Sequence, residues 1–336
     1  MLKNYRKIFA VFLLTAVVLL LNTYIVRNYI LMMPGITSDL SSIVDVEGGM
    51  KDARGSFMLT TVSTRPANLP LAIYAIANKS LDVIPRSVFI PEGWDMDEYL
   101  EYMKKWMQES QVIAKVVALE KLGIKTKIRG EGVKVIKVLK TSNAYNKIKP
   151  GDIILEVDGK AVTVADELVR EVKRHKVGEE LILKVKRDER ILEFKVETIK
   201  DVHGGKGAAI GIYVTTVNWK PSFPVSIKID AGQIGGPSAG LMFVLEIINQ
   251  MTPSDLTGGR TIAGTGTINL EGYVGEIGGV RQKVITAHSK GAEYFLVPRG
   301  NFETATKTGE KLGIKIIPVT SIDDALDFLR TLDSNR

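Results

Sequence analysis

The chain has 336 residues, of which 45% are hydrophobic and 25% charged, which is enough for two globular domains with buried cores. Its formal net charge of +7 is spread along the chain, and no basic stretch is interleaved with aromatic residues, so we expect no nucleic-acid partner. The sequence has no cysteine and no His-Glu-x-x-His pattern, so we expect neither a metal nor another cofactor.

The first feature along the chain is an almost wholly apolar stretch over residues 8–26, long enough to cross about 30 Å of hydrocarbon. It is interrupted only by Thr15, Asn22, Thr23 and Tyr24. The alternative is a cleaved signal peptide. We favour a retained anchor because no small-residue cleavage site follows, and Asn22–Asn28 is bulky and polar.

Basic residues flank this stretch unequally. Lys3, Arg6 and Lys7 precede it, whereas only Arg27 follows closely. The positive-inside rule therefore predicts a cytoplasmic tail over residues 1–7, with the rest of the chain outside the cytoplasmic membrane. The absence of cysteine fits an exported protein.

An extracytoplasmic region with strands and an amphipathic helix is predicted over residues 37–111. Asp95 is a candidate N-cap and Glu98 completes a capping box, so a helix should begin there, with its Met and aromatic stripe in a core. Before it, residues 55–62 resemble residues 211–217 in sequence. We interpret both segments as strands of the C-terminal domain, which would make the intervening module an insertion.

Residues 112–200 carry strand and hairpin signals. Apolar and polar residues alternate from residue 132, Pro150–Asp152 forms a bend, and Asp158-Gly159 supplies a tight hairpin turn. A helix over 163–175 and strands over 181–187 and 191–199 complete the predicted unit. This order and its Lys-Pro-Gly-Asp-Ile-Ile…Val-Asp-Gly motif resemble a PDZ domain, a β-barrel or sandwich with helices.

The PDZ resemblance implies that an extended peptide adds as a strand to a sheet edge, often with its C-terminal carboxylate held by backbone N–H groups. Candidate carboxylate loops are residues 122–124 and 128–130, neither with a clean Gly-Leu-Gly-Phe pattern. The alternative is that this module only spaces or docks the following domain.

The most informative motif is Gly-Gly-Pro-Ser-Ala-Gly at residues 235–240, which enters a strongly apolar helix-like run. Ser238 stands at the predicted first turn, where backbone N–H groups lack intrahelical partners, so it is a candidate nucleophile. The N–H groups of Gly236, Ser238 and Ala239 are candidate oxyanion donors. A plain helix-entry turn or anion loop is the alternative for this hexapeptide alone.

A lysine that ends a Gly-Gly-Val-Arg-Gln-Lys run, Lys283, is the candidate base. A lysine serves as a base only when desolvation or a nearby cation lowers its pKa. A Ser-His-Asp arrangement is disfavoured, since His288 does not share a helix face with Lys283 and only His175 and His203 remain.

Residues 263–298, with the Pro-Ser-Ala-Gly serine, resemble the α/β proteolytic domain of the Lon protease family, which we place at 205–332. That resemblance implies a Ser-Lys dyad of Ser238 and Lys283, with Thr265 as a hydrogen-bond partner of the lysine. Gly235 and Thr267 stand where the family usually has carboxylates, so its pKa tuning need not carry over.

Together these segments predict an α+β chain with an N-terminal transmembrane helix, a PDZ-like module and a Lon-type domain. The combination resembles the bacterial membrane-anchored, PDZ-containing Lon-like serine peptidases of the YlbL/SepM type. No Walker A loop is present, so we expect no nucleotide and ATP-independent cleavage of extended or unfolded peptides. The alternatives are a PDZ-type scaffold with an inactive protease-like domain, and an acyl-transfer hydrolase of small molecules. Ring-like oligomers are compatible with this prediction.

Overall fold

The structure is a computed structural model that describes residues 2–51, 54–128, 130–201 and 207–333, with side chains from residue 4 to residue 332. Three residues used above fall outside this description: the side chain of Lys3, Arg129 of one candidate carboxylate loop, and His203.

Nine α-helices lie in the described part of the chain: α1 Leu2–Asn28, α2 Leu69–Ala77, α3 Arg86–Phe89, α4 Met96–Lys121, α5 Ala165–Lys173, α6 Gly240–Met251, α7 Val280–His288, α8 Phe302–Leu312 and α9 Ile322–Asp333. The strands are β1 Tyr29–Asp39, β2 Val44–Val46, β3 Ser56–Pro66, β4 Asp82–Pro85, β5 Val133–Val138, β6 Ile153–Val157, β7 Lys160–Ala161, β8 Glu180–Arg187, β9 Arg190–Glu197, β10 Ile199–Lys200, β11 Ala208–Ala209, β12 Ile212–Thr216, β13 Ile227–Ile229, β14 Thr261–Gly264, β15 Thr267–Ile268, β16 Val274–Gly275, β17 Tyr294–Pro298 and β18 Lys315–Val319.

The N-terminal helix α1 stands apart from the cores. Its segment Asn4–Asn28 is long and apolar enough to cross a membrane, and most of its side chains are exposed in the isolated chain. The helix continues directly into β1, so no linker separates it from the folded part of the chain.

A mixed six-stranded sheet forms the scaffold of the C-terminal domain, in the order β18-β17-β14-β3-β1-β4. Strands β3, β14, β17 and β18 run parallel, whereas β1 pairs antiparallel with both β3 and β4. The segment 55–62, which we predicted to belong to this domain, therefore lies in its sheet as part of β3.

Helices cover both faces of this sheet because successive strand residues point to opposite sides. In β17, Leu296 belongs to the core formed with α4, α6 and α9, whereas Phe295 and Val297 face α7 and α8. Helix α6 is the central element, since every residue from Gly240 to Gln250 is buried. Residues of the predicted 37–111 region, such as Phe57 and Met107, share that core.

The PDZ sheet has the order β12-β5-β6-β8-β9, with β7 paired to β6, and encloses a core of its own. The predicted hairpin turn is confirmed, since Asp158 and Gly159 both have positive φ between β6 and β7. Our prediction for residues 211–217 was wrong. Strand β12 pairs antiparallel with β5 of the PDZ sheet. The prediction failed because strand periodicity specifies a strand but not its partner.

The PDZ module is inserted into the other domain through one continuous helix. Helix α4 begins at the predicted capping box of Asp95 and Glu98 and runs to Lys121, so the limit predicted at residue 112 falls inside it. After the module, β13 pairs with β2 from the first part of the chain. The C-terminal domain is therefore built from two segments of the chain, one before and one after the PDZ module.

Candidate active site

Ser238 lies in a tight turn just before α6, next to the C-terminal end of β14 in the six-stranded sheet. Gly236 has φ of 84°, a conformation that side-chain-bearing residues rarely adopt, and the Gly240 N–H donates to the Pro237 carbonyl. The Ser238 carbonyl accepts the Gly266 N–H at 2.8 Å, which ties the turn to the segment after β14. The turn thus presents the serine hydroxyl at the sheet edge.

Lys283 lies on α7, on the other face of the sheet from α6. The helix begins after Gly279, whose φ is 67°, and a Cβ at that position would lie 2.6 Å from Val62 and 3.1 Å from the Met32 sulfur. Only glycine satisfies both the left-handed backbone and this close approach. The glycine therefore lets α7 pack tightly on β1 and β3 with its lysine at the same sheet edge.

The structure brings Ser238, Lys283 and Thr265 into one hydrogen-bonded cluster. The Lys283 Nζ donates to the Ser238 Oγ at 2.7 Å and to the Thr265 Oγ1 at 2.9 Å. The Thr265 hydroxyl in turn donates to the Ser238 carbonyl at 2.9 Å. A nucleophile and base within 2.6–3.2 Å, with the base oriented by a third group, form the arrangement that activates a serine.

Burial sets the protonation state of Lys283. The residue is 3% exposed, and burial lowers the pKa of its amine from 10.5 to about 7. Within the described part of the chain no carboxylate lies within ion-pair distance of it. A substantial fraction of Lys283 is therefore neutral near pH 7 and able to accept a proton.

The three candidate oxyanion donors differ in their state. The Gly236 N–H donates to the Met103 carbonyl of α4 at 2.9 Å, so this donor is already engaged. The N–H groups of Ser238 and Ala239 donate to no described residue. These two amides next to the hydroxyl are the donors that the present geometry leaves for an oxyanion.

Helix α4 supports the serine turn, a role that we did not predict. Besides the Met103 contact, the Ser110 hydroxyl donates to the Pro237 carbonyl at 3.1 Å. The sequence signal in α4 was a Met and aromatic stripe, which indicates a core but not which loop it supports. No motif distinguishes Met103 or Ser110 from their neighbours.

The histidines with described coordinates lie away from the cluster. His288 is exposed at the end of α7, and the His175 Nε2 lies 2.9 Å from the Asp158 carboxylate in the PDZ module. Among the described residues, no group of His, Asp and Glu is arranged to hold a metal ion.

We expect Thr265→Val to lower turnover by about 10- to 100-fold, because the lysine loses one of its two hydrogen bonds and its orientation. Thr265→Ser, which keeps the hydroxyl, should retain most of the activity. The matched control is Thr286→Val, a buried position on α7 whose hydroxyl bonds only the Gln282 carbonyl. Steady-state kinetics with thermal melts would check this, and equal losses in the valine variants would contradict the positioning role.

Comparisons with known families identify both domains. Residues 120–198 match the PDZ domain, and residues 216–331 match the Lon protease (S16) C-terminal proteolytic domain. Both domain types expected from the motifs are thereby confirmed.

Curated relatives match part of the chain. The Lon protease of Azospirillum brasilense is 29% identical over 138 residues, covering 40% of this chain and 17% of that protein. The Lon protease of Rickettsia bellii is 35% identical over 113 residues, covering 32% of this chain and 14% of that protein. The chain thus spans less than a fifth of the length of these relatives.

Two solved PDZ-domain structures are similar to part of the chain. The PDZ domain of the SdrC-like protein from Listeria monocytogenes is 26% identical, covers 26% of this chain and 92% of that chain, and has a TM-score of 0.24. The corresponding domain from Listeria innocua is 25% identical, covers 25% of this chain and 92% of that chain, and has a TM-score of 0.24.

Proposed function

We propose that this protein is a membrane-anchored serine endopeptidase that cleaves extended or unfolded polypeptides. Its chain carries a PDZ domain followed by a Lon-type proteolytic domain. The observation that carries this proposal is the buried cluster in which Lys283 contacts the Ser238 hydroxyl at 2.7 Å. The protease-type domain supports the reaction class, and the cluster supports a Ser-Lys dyad as its machinery.

The first half of the reaction is acylation. Neutral Lys283 accepts the Ser238 hydroxyl proton as the Oγ attacks a peptide carbonyl carbon. The carbonyl oxygen becomes an oxyanion, stabilised by the Ser238 and Ala239 N–H groups. The protonated lysine then gives its proton to the leaving amine, and the C–N bond breaks.

Deacylation repeats the sequence with water. Lys283 removes a proton from a water molecule, the resulting hydroxide attacks the ester carbonyl, and the ammonium returns the proton to the Ser238 Oγ. Thr265 holds the amine in place throughout by its hydrogen bond at 2.9 Å. No histidine or metal takes part in this scheme.

We place the catalytic domain outside the cytoplasmic membrane and propose that it works without ATP. The orientation rests on the basic residues before the span, and α1 is the anchor. The chain covers only a small part of the Lon proteases it matches and carries no Walker A sequence. The proposed substrates are segments that are already extended and need no unfolding by ATP hydrolysis.

We place peptide capture by the PDZ module at the start of β12. The candidate loop 122–124 leads into no described strand, and 128–130 leads into β5, an inner strand of the PDZ sheet, whereas residues 207–211 lead directly into the edge strand β12. In the later part of β12, the Val214 carbonyl accepts a hydrogen bond from the Tyr102 hydroxyl of α4, and the Thr216 N–H donates to the Glu109 carboxylate of the same helix. The beginning of the strand, beside α5, is therefore the part available to a peptide.

The test is cleavage of one protein in folded and unfolded forms by the full chain in vesicles, with and without ATP. We expect the unfolded form to be cut at the same rate in both conditions and the folded form to resist. A peptide with a free C-terminal carboxylate should be cut several-fold faster than its amide if β12 captures termini. Degradation of the folded form only with ATP would contradict the proposal, and binding without cleavage would favour the scaffold alternative.

A further inference from the structure

Helix α2 has an unusual surface for a helix outside a protein core. Eight of its nine residues are apolar, the ninth is Tyr74, and none of the nine is buried. Ile73 is 60% exposed and Ile76 is 85% exposed, and Val88 of the neighbouring α3 is 74% exposed. An exposed apolar surface of this kind indicates an interaction site.

The start of α2 lies against the apolar helix α1. The Leu69 N–H donates to the Asn22 Oδ1 at 2.9 Å. Asn22 lies six residues before the end of α1 at Asn28, so this contact is about 9 Å below that end at 1.5 Å per residue. If α1 crosses a membrane, the first turn of α2 lies at the depth of the acyl chains.

The first turn of α2 is satisfied in the way that a hydrocarbon environment requires. The N–H of Leu69 donates to Asn22, Pro70 has no N–H, and the N–H of Leu71 donates to the Asn68 side chain. The next N–H, of Ala72, bonds the Asn68 carbonyl. In water these groups need no protein partner, but in lipid every backbone donor must be satisfied internally.

Basic residues lie near the ends of α1, β3, α2 and α3, the elements at and next to this apolar surface. Arg27 and Arg65 are the last residues but one of α1 and β3, Lys79 follows α2, and Arg86 begins α3. None of these four forms an ion pair with a carboxylate in the described part of the chain. Unpaired cations beside an apolar surface complement anionic lipid headgroups.

We propose that α2, with Val88 of α3, inserts into the acyl-chain region of the leaflet that holds the C-terminal end of α1. The inserted surface is continuous with the exposed apolar surface of α1, so lipid is its occupant. This inference rests on the membrane anchorage proposed above, and it adds a second, non-spanning contact with the bilayer.

The chain segment that follows the inserted helix contacts the helix that carries the catalytic lysine. The Arg281 guanidinium donates to the Leu81 carbonyl at 3.0 Å and also contacts the Asp82 carboxylate. The Gln282 side chain contacts the same carboxylate. Because Lys283 is the next residue along α7, the insertion of α2 holds the cleavage site close to the membrane surface.

The absence of cysteine allows a direct test on the full chain. Ile73→Cys and Ile76→Cys would each carry an environment-sensitive fluorophore, with the protein in phosphatidylethanolamine and phosphatidylglycerol vesicles. Leu14→Cys in α1 is the reference for the bilayer interior, and Ile191→Cys, an exposed PDZ position, is the reference for water. Unchanged melting temperatures would show that all four variants fold.

We expect the labels at 73 and 76 to be quenched about twofold or more by lipids with brominated acyl chains, as at Leu14, and to resist aqueous iodide. If they follow Ile191 while Leu14 reports lipid, the insertion is wrong and the anchor stands. If Leu14 also follows Ile191, the anchorage itself fails. Shielding from both quenchers that disappears on dilution of the protein in the membrane would identify a second copy as the occupant and overturn the proposal.

Discussion

Ser238→Ala and Lys283→Met should each lower the turnover of an unfolded polypeptide by about 10⁴-fold or more. The alanine removes the attacking oxygen, and the methionine keeps a side chain of similar length but removes the proton acceptor 2.7 Å from that oxygen. Because the two groups act as a unit, the double variant should be no slower than either single variant. Initial rates measured on the three variants and the parent would check this.

The controls are Ser289→Ala and Lys290→Met, the same substitutions at exposed positions just after α7. Both should keep the parent rate, and melting curves should show that every variant is folded. Residual activity above about one hundredth in either dyad variant would contradict the Ser-Lys mechanism, because an activated nucleophile contributes far more than that.

As the pH is raised towards 7, the turnover rate should increase about tenfold for each pH unit, and above pH 7 it should level off. Burial lowers the pKa of Lys283 to about 7, and only the neutral amine accepts the serine proton. At pH 5 the rate should therefore be about one hundredth of its plateau value. A substrate without groups that titrate between pH 5 and pH 9 would give the profile, and a rate that rises only above pH 9 would show a lysine with an ordinary pKa.

The same pKa predicts how stability depends on pH. The unfolded chain holds the Lys283 proton up to about pH 10.5, whereas the folded chain releases it at about pH 7. Between these values the unfolded state binds more protons, so the free energy of unfolding rises with pH. The burial penalty is fully present below pH 7 and disappears above pH 10.5.

Lys283→Met removes this penalty and should raise the free energy of unfolding by a few kcal/mol below pH 7, after allowance for the lost hydrogen bonds. The gain should shrink as the pH approaches 10.5. Denaturant unfolding at pH 6 and pH 10 would measure it, and Lys290→Met should show no such change. A destabilised variant at pH 6 would contradict the desolvated lysine.

The residues of the candidate site were predictable because their motifs combine backbone constraints with reactive groups. The glycine at 279 specifies a tight helix start and places Lys283 four residues later on α7, where the structure buries its amine. The support from Met103 and Ser110 was not predictable, since a backbone carbonyl and an ordinary serine leave no pattern. The engagement of Gly236 by Met103 follows from that tertiary contact alone.

Local elements of the fold were predicted better than their partners. The capping box at Asp95 and the turn at Asp158 are determined within four residues, so both were found. The pairing of β12 with β5 depends on which edge is unoccupied after folding, which alternation of apolar residues does not encode. Helix α2 was missed because its nine residues, all apolar except Tyr74, have no polar face to reveal a period.

The insertion of the PDZ module also determines when the catalytic centre can form during synthesis. Strands β3 and β14 are adjacent in the sheet although about two hundred residues separate them along the chain. The PDZ module contains its own core, and all strands of its sheet precede β14 in the chain, so it can fold before β14 is synthesised. The candidate site is therefore incomplete until β14 and the Lys283 helix α7 have been synthesised.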